Sequence, residues 1–440
     1  MNDISYTLLS KVLVSPISGK RPSGGVSSDT EGVPSIGGEN ILVNGGMTYE
    51  ELKKIPISFF KNMPKGKLLR HDVLINKDGA QTGKVGLYEG EFDEAAVNEH
   101  VFILRARDQL ELNQNYLYYC VLLTETRNKI ERRITGSAQP GLNSSFVNAV
   151  DIPLCSIVKQ EKITTILTSI DTAIEKTESL IAKYQKIKAG LMHDLFTRGV
   201  TADGKLRPPR EQTPELYQDT PIGWIPVKWQ CEQLQIVLSK SGGYLQTGPF
   251  GSQLHADEYT DEGTPVVMPQ DINNEMIELN SIARIPEQRA NMLSRHRLKV
   301  GDITIARRGD LSRAAAVSER EANWVCGTGC FLLRLGRTDL NHFFFSHAYR
   351  YDSIQRQIAG IAVGSTMPSL NNSVMNKLFF PVPSPFEQKA ISQRLDAMAC
   401  KITSEQNKLE KLKKQKAGLM QDLLTGKVPV KIDVPGKEFA

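Results

Sequence analysis

From Ile163 onward, apolar side chains recur at alternating steps of four and three: Ile163, Leu167, Ile170, Ile174, Ile181, Tyr184, Leu191 and Leu195. Thr177 and Lys188 stand where two further members of the series would fall. This heptad pattern predicts a long helix with a narrow apolar seam. The pattern returns as Ile391, Leu395, Met398, Ile402, Leu409, Leu412, Leu419 and Leu423, with Glu405 and Lys416 at the interruptions. Ser384-Pro-Phe-Glu387 ahead of it reads as a capping box with proline at the first helical position, so this helix is predicted to start near residue 385. Each seam needs a partner, and the stripe of matching length is the other copy. An antiparallel coiled coil is the expected arrangement, and two amphipathic helices each lying on its own domain are the alternative. The stretch from Ile163 to Leu195 would make a rod of about 50 Å at about 1.5 Å per residue.

The two helical segments are copies of one another. Residues 188–195 read KAGLMHDL and residues 416–423 read KAGLMQDL, an offset of 228 positions (416 − 188). Extended without gaps from Pro153 and Pro381 to Val200 and Val428, the match holds 17 identities in 48 positions, far above chance. A period this long implies two similar halves, and such a protein usually engages something that is itself two-fold. Gly190 and Gly418 recur inside the helices, where each costs about 1 kcal/mol relative to alanine. Either another backbone approaches closely there or the surface simply tolerates glycine.

The regions ahead of the helices also correspond. Gly136-Ser137, Pro140, Leu142, Asn143 and Ser145 match Gly364-Ser365, Pro368, Leu370, Asn371 and Ser373 at the same offset. Glu31-Gly-Val-Pro34 matches Glu262-Gly-Thr-Pro265, and Asp72-Val-Leu-Ile75 matches Asp302-Ile-Thr-Ile305, at slightly larger offsets that imply small loop insertions. Short β-branched runs such as Val101–Leu104 alternate with Gly-rich turns and helical stretches at 115–131 and 340–357, which predicts α+β domains. The expected order is a globular domain at 1–152, a helical spacer at 153–198, and a Pro-rich extended linker at 199–228. A second globular domain at 229–380, a second spacer at 381–428 and a tail at 429–440 complete it.

Composition narrows the function classes. With 440 residues, 40% hydrophobic and 23% charged, the chain has the make-up of a soluble multidomain protein. No stretch approaches 18 apolar residues and the N-terminus lacks a basic region followed by an apolar run, so a cytoplasmic protein is expected. Cys120, Cys155, Cys231, Cys326, Cys330 and Cys400 read as reduced packing thiols, with a zinc site as the alternative for the close pair Cys326 and Cys330. The net charge of +5 permits nucleic-acid binding without announcing it.

Catalytic motifs are missing from the string. Gly79-Ala-Gln-Thr-Gly83-Lys84-Val85 is one residue short of a phosphate-binding loop and lacks its hydroxyl. There is no Gly-x-Gly-x-x-Gly after a strand, no His-Glu-x-x-His and no Gly-x-Ser-x-Gly elbow. The only Pro-Pro, Pro208-Pro209, falls in the linker and not in a methyltransferase-like segment. No catalytic residue, metal ligand or cofactor site is therefore expected in this chain. The polar loops suit recognition better. Gln246, Thr247, Ser252 and Gln253 combine amides and hydroxyls with turn glycines, and Arg307, Arg308 and Arg313 follow a strand. In the first half, Asn76, Lys77, Gln81 and Lys84 occupy the loop equivalent to the arginine cluster, and Arg132, Arg133 and Gln139 flank the Gly-Ser turn whose second copy carries Ser365. Arginine bridges guanine or clamps phosphate, and glutamine or asparagine pairs with adenine. Taken singly each is a solvated loop residue; as a set they make a DNA-facing edge.

The paired helices ending in KAGLM-H/Q-DL, the segment Ile222-Gly-Trp-Ile-Pro226 followed by Trp229, and Thr247-Gly-Pro-Phe-Gly-Ser252 resemble the specificity subunit of Type I restriction-modification enzymes across essentially the whole chain. The resemblance implies two target-recognition domains held apart by an antiparallel helix pair, each reading one half of a bipartite, asymmetric double-stranded DNA site. It implies two methyltransferase subunits docked on the scaffold, using S-adenosylmethionine, and ATP- and Mg-dependent motor-nuclease subunits, with all of those cofactors on the partners. The competing expectations are a coiled-coil adaptor without DNA contact and a nuclease using Asp257, Glu258, Asp261 and Glu262.

Overall fold

The computed structural model describes residues 4–23, 26, 31–136, 140–250, 253–273, 275–279, 282–361 and 369–431. It is a mixed α/β chain that divides into two compact units, 1–178 with 407–440, and 179–406. The long helices run Ile157–Thr197 and Pro385–Leu424, so each unit draws on both.

In the first unit, strand Ser5–Leu8 pairs antiparallel with Asp151–Leu154, the strand that leads into the first long helix. A four-stranded sheet has the order Ile17–Ser18, Val101–Leu104, Val73–Asn76, Val85–Leu87. A smaller sheet places Val33–Ile36 between Lys54–Ile55, antiparallel, and Ala96–Val97, parallel. Val73 to Ile75 and Val101 to Leu104 are apolar without alternation because both faces of the sheet are covered: Val73, Ile75, Phe102 and Leu104 enter one core, and Leu74, Val101 and Ile103 another.

The second unit repeats this plan. Gln230–Gln233 pairs with Phe379–Val382, which leads into the second long helix. The larger sheet is ordered Tyr244–Thr247, Cys330–Arg334, Ile303–Ala306, Ala314–Ala316, and the smaller one sets Thr264–Val267 between Ala283–Ile285 and Val325–Cys326. Ion pairs repeat as well. Buried Asp72 is gripped at both carboxylate oxygens by Arg105, each at 2.6 Å, and Asp302 by Arg334 at 2.6 and 2.5 Å. The same carboxylates accept from Leu69 N and Lys299 N, so each ties a turn to a strand.

Each expected helical stretch is two helices. Gln114–Leu122 and Thr124–Glu131 break at Leu123, and His342–Arg350 and Asp352–Ile361 break at Tyr351, both residues having extended backbone. The break lets Leu123 turn into the core, and stacks the Tyr351 ring on Phe196 of the first long helix at 5.1 Å.

The heptad seams are where the spacing puts them. Ile163 and Leu167 share a core with Met420, Leu423 and Leu424, and Leu195 and Phe196 share one with Ile391 and Leu395. Within the first unit, Asp171 pairs with Lys416 at 2.6 Å and Glu178 with Lys413 at 3.1 Å, so numbers rise on one helix as they fall on the other. The helices are antiparallel. Gly190 and Gly418 face open space: a Cβ added at either would meet nothing within 4 Å beyond its own helix among the described residues.

One joint recurs with a constant offset. Gln160, fully buried in the first turn of its helix, accepts from Asn113 N at 2.9 Å and donates to Glu111 O and Cys155 O at 2.9 and 2.8 Å. Gln388 does the same with Asn341 N at 2.7 Å and with Asp339 O and Pro383 O at 3.1 and 2.8 Å. Asn113 and Asn341 are themselves N-caps of the helices Gln114–Leu122 and His342–Arg350.

At the second helix the capping box is half made. Glu387 N donates to Ser384 Oγ at 3.4 Å, but the Glu387 carboxylate turns away, to Val200 N at 3.0 Å, Arg207 at 2.7 Å and Trp229 Nε1 at 3.1 Å. It thereby draws in residues 199–228, expected as an extended linker. That segment is packed, with Val200, Tyr217, Ile222 and Ile225 buried and a small hairpin formed by Tyr217–Gln218 and Ile225–Pro226. Among the described residues no helix is long and apolar enough to cross a membrane.

Gln388→Ala would strand one buried amide N–H and two carbonyls, and is expected to destabilise the second unit by about 3 kcal/mol. All three tryptophans, Trp224, Trp229 and Trp324, lie in that unit. Urea unfolding followed by tryptophan fluorescence should therefore show a lowered midpoint for Gln388→Ala, and a much smaller change for Gln160→Ala.

Candidate nucleic-acid interface

The loops after the central strands of the two larger sheets are built alike. Lys77 leaves strand Val73–Asn76 with its ammonium 5.3 Å from the Phe102 ring centre, and Arg307 leaves Ile303–Ala306 with its guanidinium 5.5 Å from that of Phe331. Lys77 O accepts from Leu142 N and Arg307 O from Leu370 N. Those leucines belong to the repeated Pro-x-Leu-Asn motif, in which Leu142 and Leu370 are buried and Asn143 and Asn371 cap short helices. Gly79 and Gly309 take positive φ at the matching turn. Each loop is thus a cation laid on an aromatic ring and sewn to the second turn by backbone hydrogen bonds, a rigid mount for whatever side chains surround it.

In the first unit, Gln81 is exposed and its Oε1 accepts from Lys84 Nζ at 2.9 Å. Arg132 and Arg133 are exposed and lead into the hairpin Ile134–Thr135/Gly141–Leu142. Pro140 in that hairpin accepts from Gly79 N and Thr82 Oγ1, which draws loop and hairpin onto one edge. Among the described residues Arg132 and Arg133 make no ion pair.

Asn76 leaves the set. It is 2% exposed, donates to Asp78 O at 3.0 Å and packs on Gly38, where a Cβ would come within 2.3 Å of its oxygen. As the last residue of a strand covered on both faces, it shapes the loop from inside and presents nothing to a ligand.

In the second unit, Arg308 is exposed. Arg307 is half-buried, with Nε donating to Leu370 O at 3.2 Å. Burial first, and then the charge of Arg308, hold the Arg307 pKa below its ordinary value. Neither arginine has an ion-pair partner among the described residues, so two crowded cations lack a counter-charge that a phosphate would supply. Arg313 is braced: Nη1 donates to Pro269 O and Gln270 O, and Nε lies 3.3 Å from Asp310. Thr247 is half-buried at the end of its strand, the side-chain amide of Gln246 donates to Arg295 O, and Gln253 holds the turn by accepting from Phe250 N. Phe250 itself is 56% exposed at the tip. Gln139, Ser252 and Ser365 lie outside the described residues.

Among the described residues no three His, Cys, Asp or Glu side chains are grouped to hold a metal. Cys326 and Cys330 are fully buried and burial pushes both thiols up, away from the thiolate that zinc binding requires. Of the acids expected for a nuclease, Glu258 is committed to His255 N and to Arg289 at 2.5 Å. The spacing of the sequence does not single out Gln160 and Gln388, and it marks Glu387 only as part of a capping box. The two glutamines are visible there as one of the identities at the 228 offset, three residues before Ile163 and Ile391 where the seam would continue, but a polar residue at that position reads as the end of the apolar stripe.

Comparison with known proteins gives a consistent result. A family model described as Type I restriction modification DNA specificity domain matches residues 12–183 and 250–414. The specificity subunit of the Type I restriction enzyme MjaVIII from Methanocaldococcus jannaschii is 24% identical over 429 residues, 94% of this chain and 91% of that one. A crystal structure of the S subunit of a Type I restriction-modification system from M. genitalium matches with a TM-score of 0.61 at 16% identity, over 96% of each chain. A structure from work on complex assembly and conformational transition of the type I R-M system matches with a TM-score of 0.51 at 16% identity, over 97% of this chain and 99% of that one.

If Arg308 contacts phosphate, Arg308→Ala should weaken duplex binding uniformly across sequences and reduce the slope of log K against log salt by about one. Asn76→Ala should lower thermal stability and leave that slope unchanged. Fluorescence anisotropy with labelled duplex over a salt series separates the two.

Proposed function

The chain belongs to the Type I restriction modification DNA specificity family, and from that membership we propose that it is the subunit that gives such a complex its DNA sequence, each globular domain reading one half of a bipartite site. The observation that carries this reading is the repeat of one mount with different surroundings. Lys77 and Arg307 occupy the same place on the same scaffold, while their neighbours Gln81, Lys84, Arg132 and Arg133 in one unit differ from Arg308, Arg313 and Phe250 in the other. Two such edges give an asymmetric split site without two different folds.

The long helices set the spacing between half-sites and carry the docking surfaces for two methyltransferase subunits and for motor-nuclease subunits. Open space around Gly190 and Gly418 supports a helix face free for such contact. The chain is noncatalytic in this reading; S-adenosylmethionine, ATP and Mg act on the partners, in the cytoplasm. The named relatives, a specificity subunit from M. jannaschii and a chain studied for complex assembly, support an assembled complex.

Replacing residues 1–152 with the equivalent region of a relative should change one half of the methylated sequence and preserve the other, as read by mapping modified adenines across a genome. A change in both halves would refute the two-reader model. Purified alone, the chain should turn over no S-adenosylmethionine, and methylation should begin when a methyltransferase subunit is added.

A further inference from the structure

The lysines that interrupt the two heptad seams are used differently. In the first unit Lys416 pairs with Asp171 of the facing helix at 2.6 Å, and Tyr119 donates to Asp171 at 2.8 Å with Thr168 Oγ1 3.2 Å away. In the second unit the matching positions are Lys188, His347 and Asp396, and the acid that completes the cluster comes from the recognition domain. Glu275 lies in the hairpin of strands Ile272–Asn273 and Met276–Ile277. Its carboxylate is 2.8 and 2.9 Å from Lys188 Nζ, 3.2 Å from Arg350 Nη1 and 3.5 Å from His347 Nδ1. His347 Nε2 is 2.8 Å from Asp396 Oδ1. His347 and Glu275 side chains are only 3% and 8% exposed. Glu275 also holds left-handed backbone, φ 67°, where glycine is favoured, so its side chain is retained against a conformational cost.

The hairpin that Glu275 anchors also supports a candidate reader. Pro269 and Gln270, just ahead of it, accept from Arg313, and Ile272 and Ile277 bury against Ala315 and Val317 beyond that arginine. A cleft of about 270 Å³ is lined by Asn273, Glu275, Glu278, Asp310, Arg313 and Arg350. Shifting Glu275 therefore shifts the backbone on which Arg313 rests.

We propose that Glu275, held by Lys188, Arg350 and a protonated His347 bridging it to Asp396, is a positioning group that locks the Arg313 edge of the second recognition domain to the two long helices, and that loss of the His347 proton releases it. The proposal rests on the reading of the Arg307–Arg313 loop as DNA-facing. The groups facing His347 are Glu275 from the hairpin, Asp396 from the second long helix, Lys188 from the first, and Arg350 on its own helix. Burial alone would lower the His347 pKa, but the hydrogen bond to Asp396 and the charges of Glu275 and Asp396 outweigh it and raise it above 6.5. Burial would raise Glu275, yet His347, Lys188 and Arg350 hold it well below the usual carboxylate range, so it stays charged. A raised histidine pKa means that the lock is complete below about pH 6.5 and is lost as pH rises through the folded value above it. The first unit has Tyr119 in this place and no such dependence.

The test uses the chain assembled with methyltransferase subunits and compares methylation of the cognate duplex with duplexes carrying one changed base in either half-site, from pH 6 to 9. Discrimination at the half-site read by the second domain should fall about tenfold across that range, with the other half-site flat. His347→Gln should be low at every pH, Lys188→Met should behave likewise, and Lys188→Arg should restore the wild-type profile. A wild-type profile in His347→Gln, or equal loss at both half-sites, overturns the lock. Arg313→Ala reports on the underlying reading separately: unchanged DNA affinity and discrimination would remove Arg313 from the interface whatever the lock does. An NMR titration of the wild-type His347 ring guards against misfolded variants, since protonation lost below pH 6.5 also overturns the proposal.

Discussion

Two buried glutamine amides decide how each long helix leaves its domain. A helix start exposes unsatisfied N–H groups and a strand end exposes carbonyls, and burying either without a partner costs about 1–3 kcal/mol. Gln160 and Gln388 answer both needs at once. Each accepts from the capping asparagine of a second helix and donates to carbonyls on the chain before and after it. Because three elements share one amide, the angle between long helix and domain is fixed by hydrogen-bond geometry and cannot drift with surface changes. The strands Asp151–Leu154 and Phe379–Val382 feed into this joint, and the aromatic helices start from it.

The joint also explains where variation is confined. Glutamine, both carbonyl partners and the capping asparagine keep one offset of 228 residues, whereas Asp72 and Asp302, deeper in the domains, differ by 230. Insertions have therefore accumulated between the strands and not at the helix root. Lys77 and Arg307 stay mounted on Phe102 and Phe331, while the surrounding loop residues differ between the halves.

Much of this was legible as periodicity. The seams of both helices follow from spacing, since burial imposes a period that the string records; the start at Pro385 follows from the Ser-Pro pair ahead of it, and the strand at Ile303 from a short β-branched run. Readings that depended on where one side chain turns were not legible. Asn76 looked like a loop amide, yet it closes a strand and is sealed against Gly38. Glu387 looked like half of a capping box, yet a cation and an indole N–H from the 199–228 segment outbid the helix for its carboxylate. That segment looked like a tether because prolines rule out regular structure, but they do not rule out packing, and Tyr217, Ile222 and Ile225 bury regardless.

The polar interruptions of the seams follow the same logic at higher cost. A lysine at a seam position forfeits apolar burial and must be compensated by a close charge, and a buried pair contributes to specificity of arrangement more than to net stability. Lys416 finds its acid on the neighbouring helix, which fixes helix register within the first unit. Lys188 finds its acid on the globular domain, which fixes the domain to the helix instead. One substitution class at one repeated position thus serves two constraints, and the choice depends only on which side supplies the carboxylate. A duplicated scaffold can become functionally unequal in this way while its helices remain nearly the same sequence.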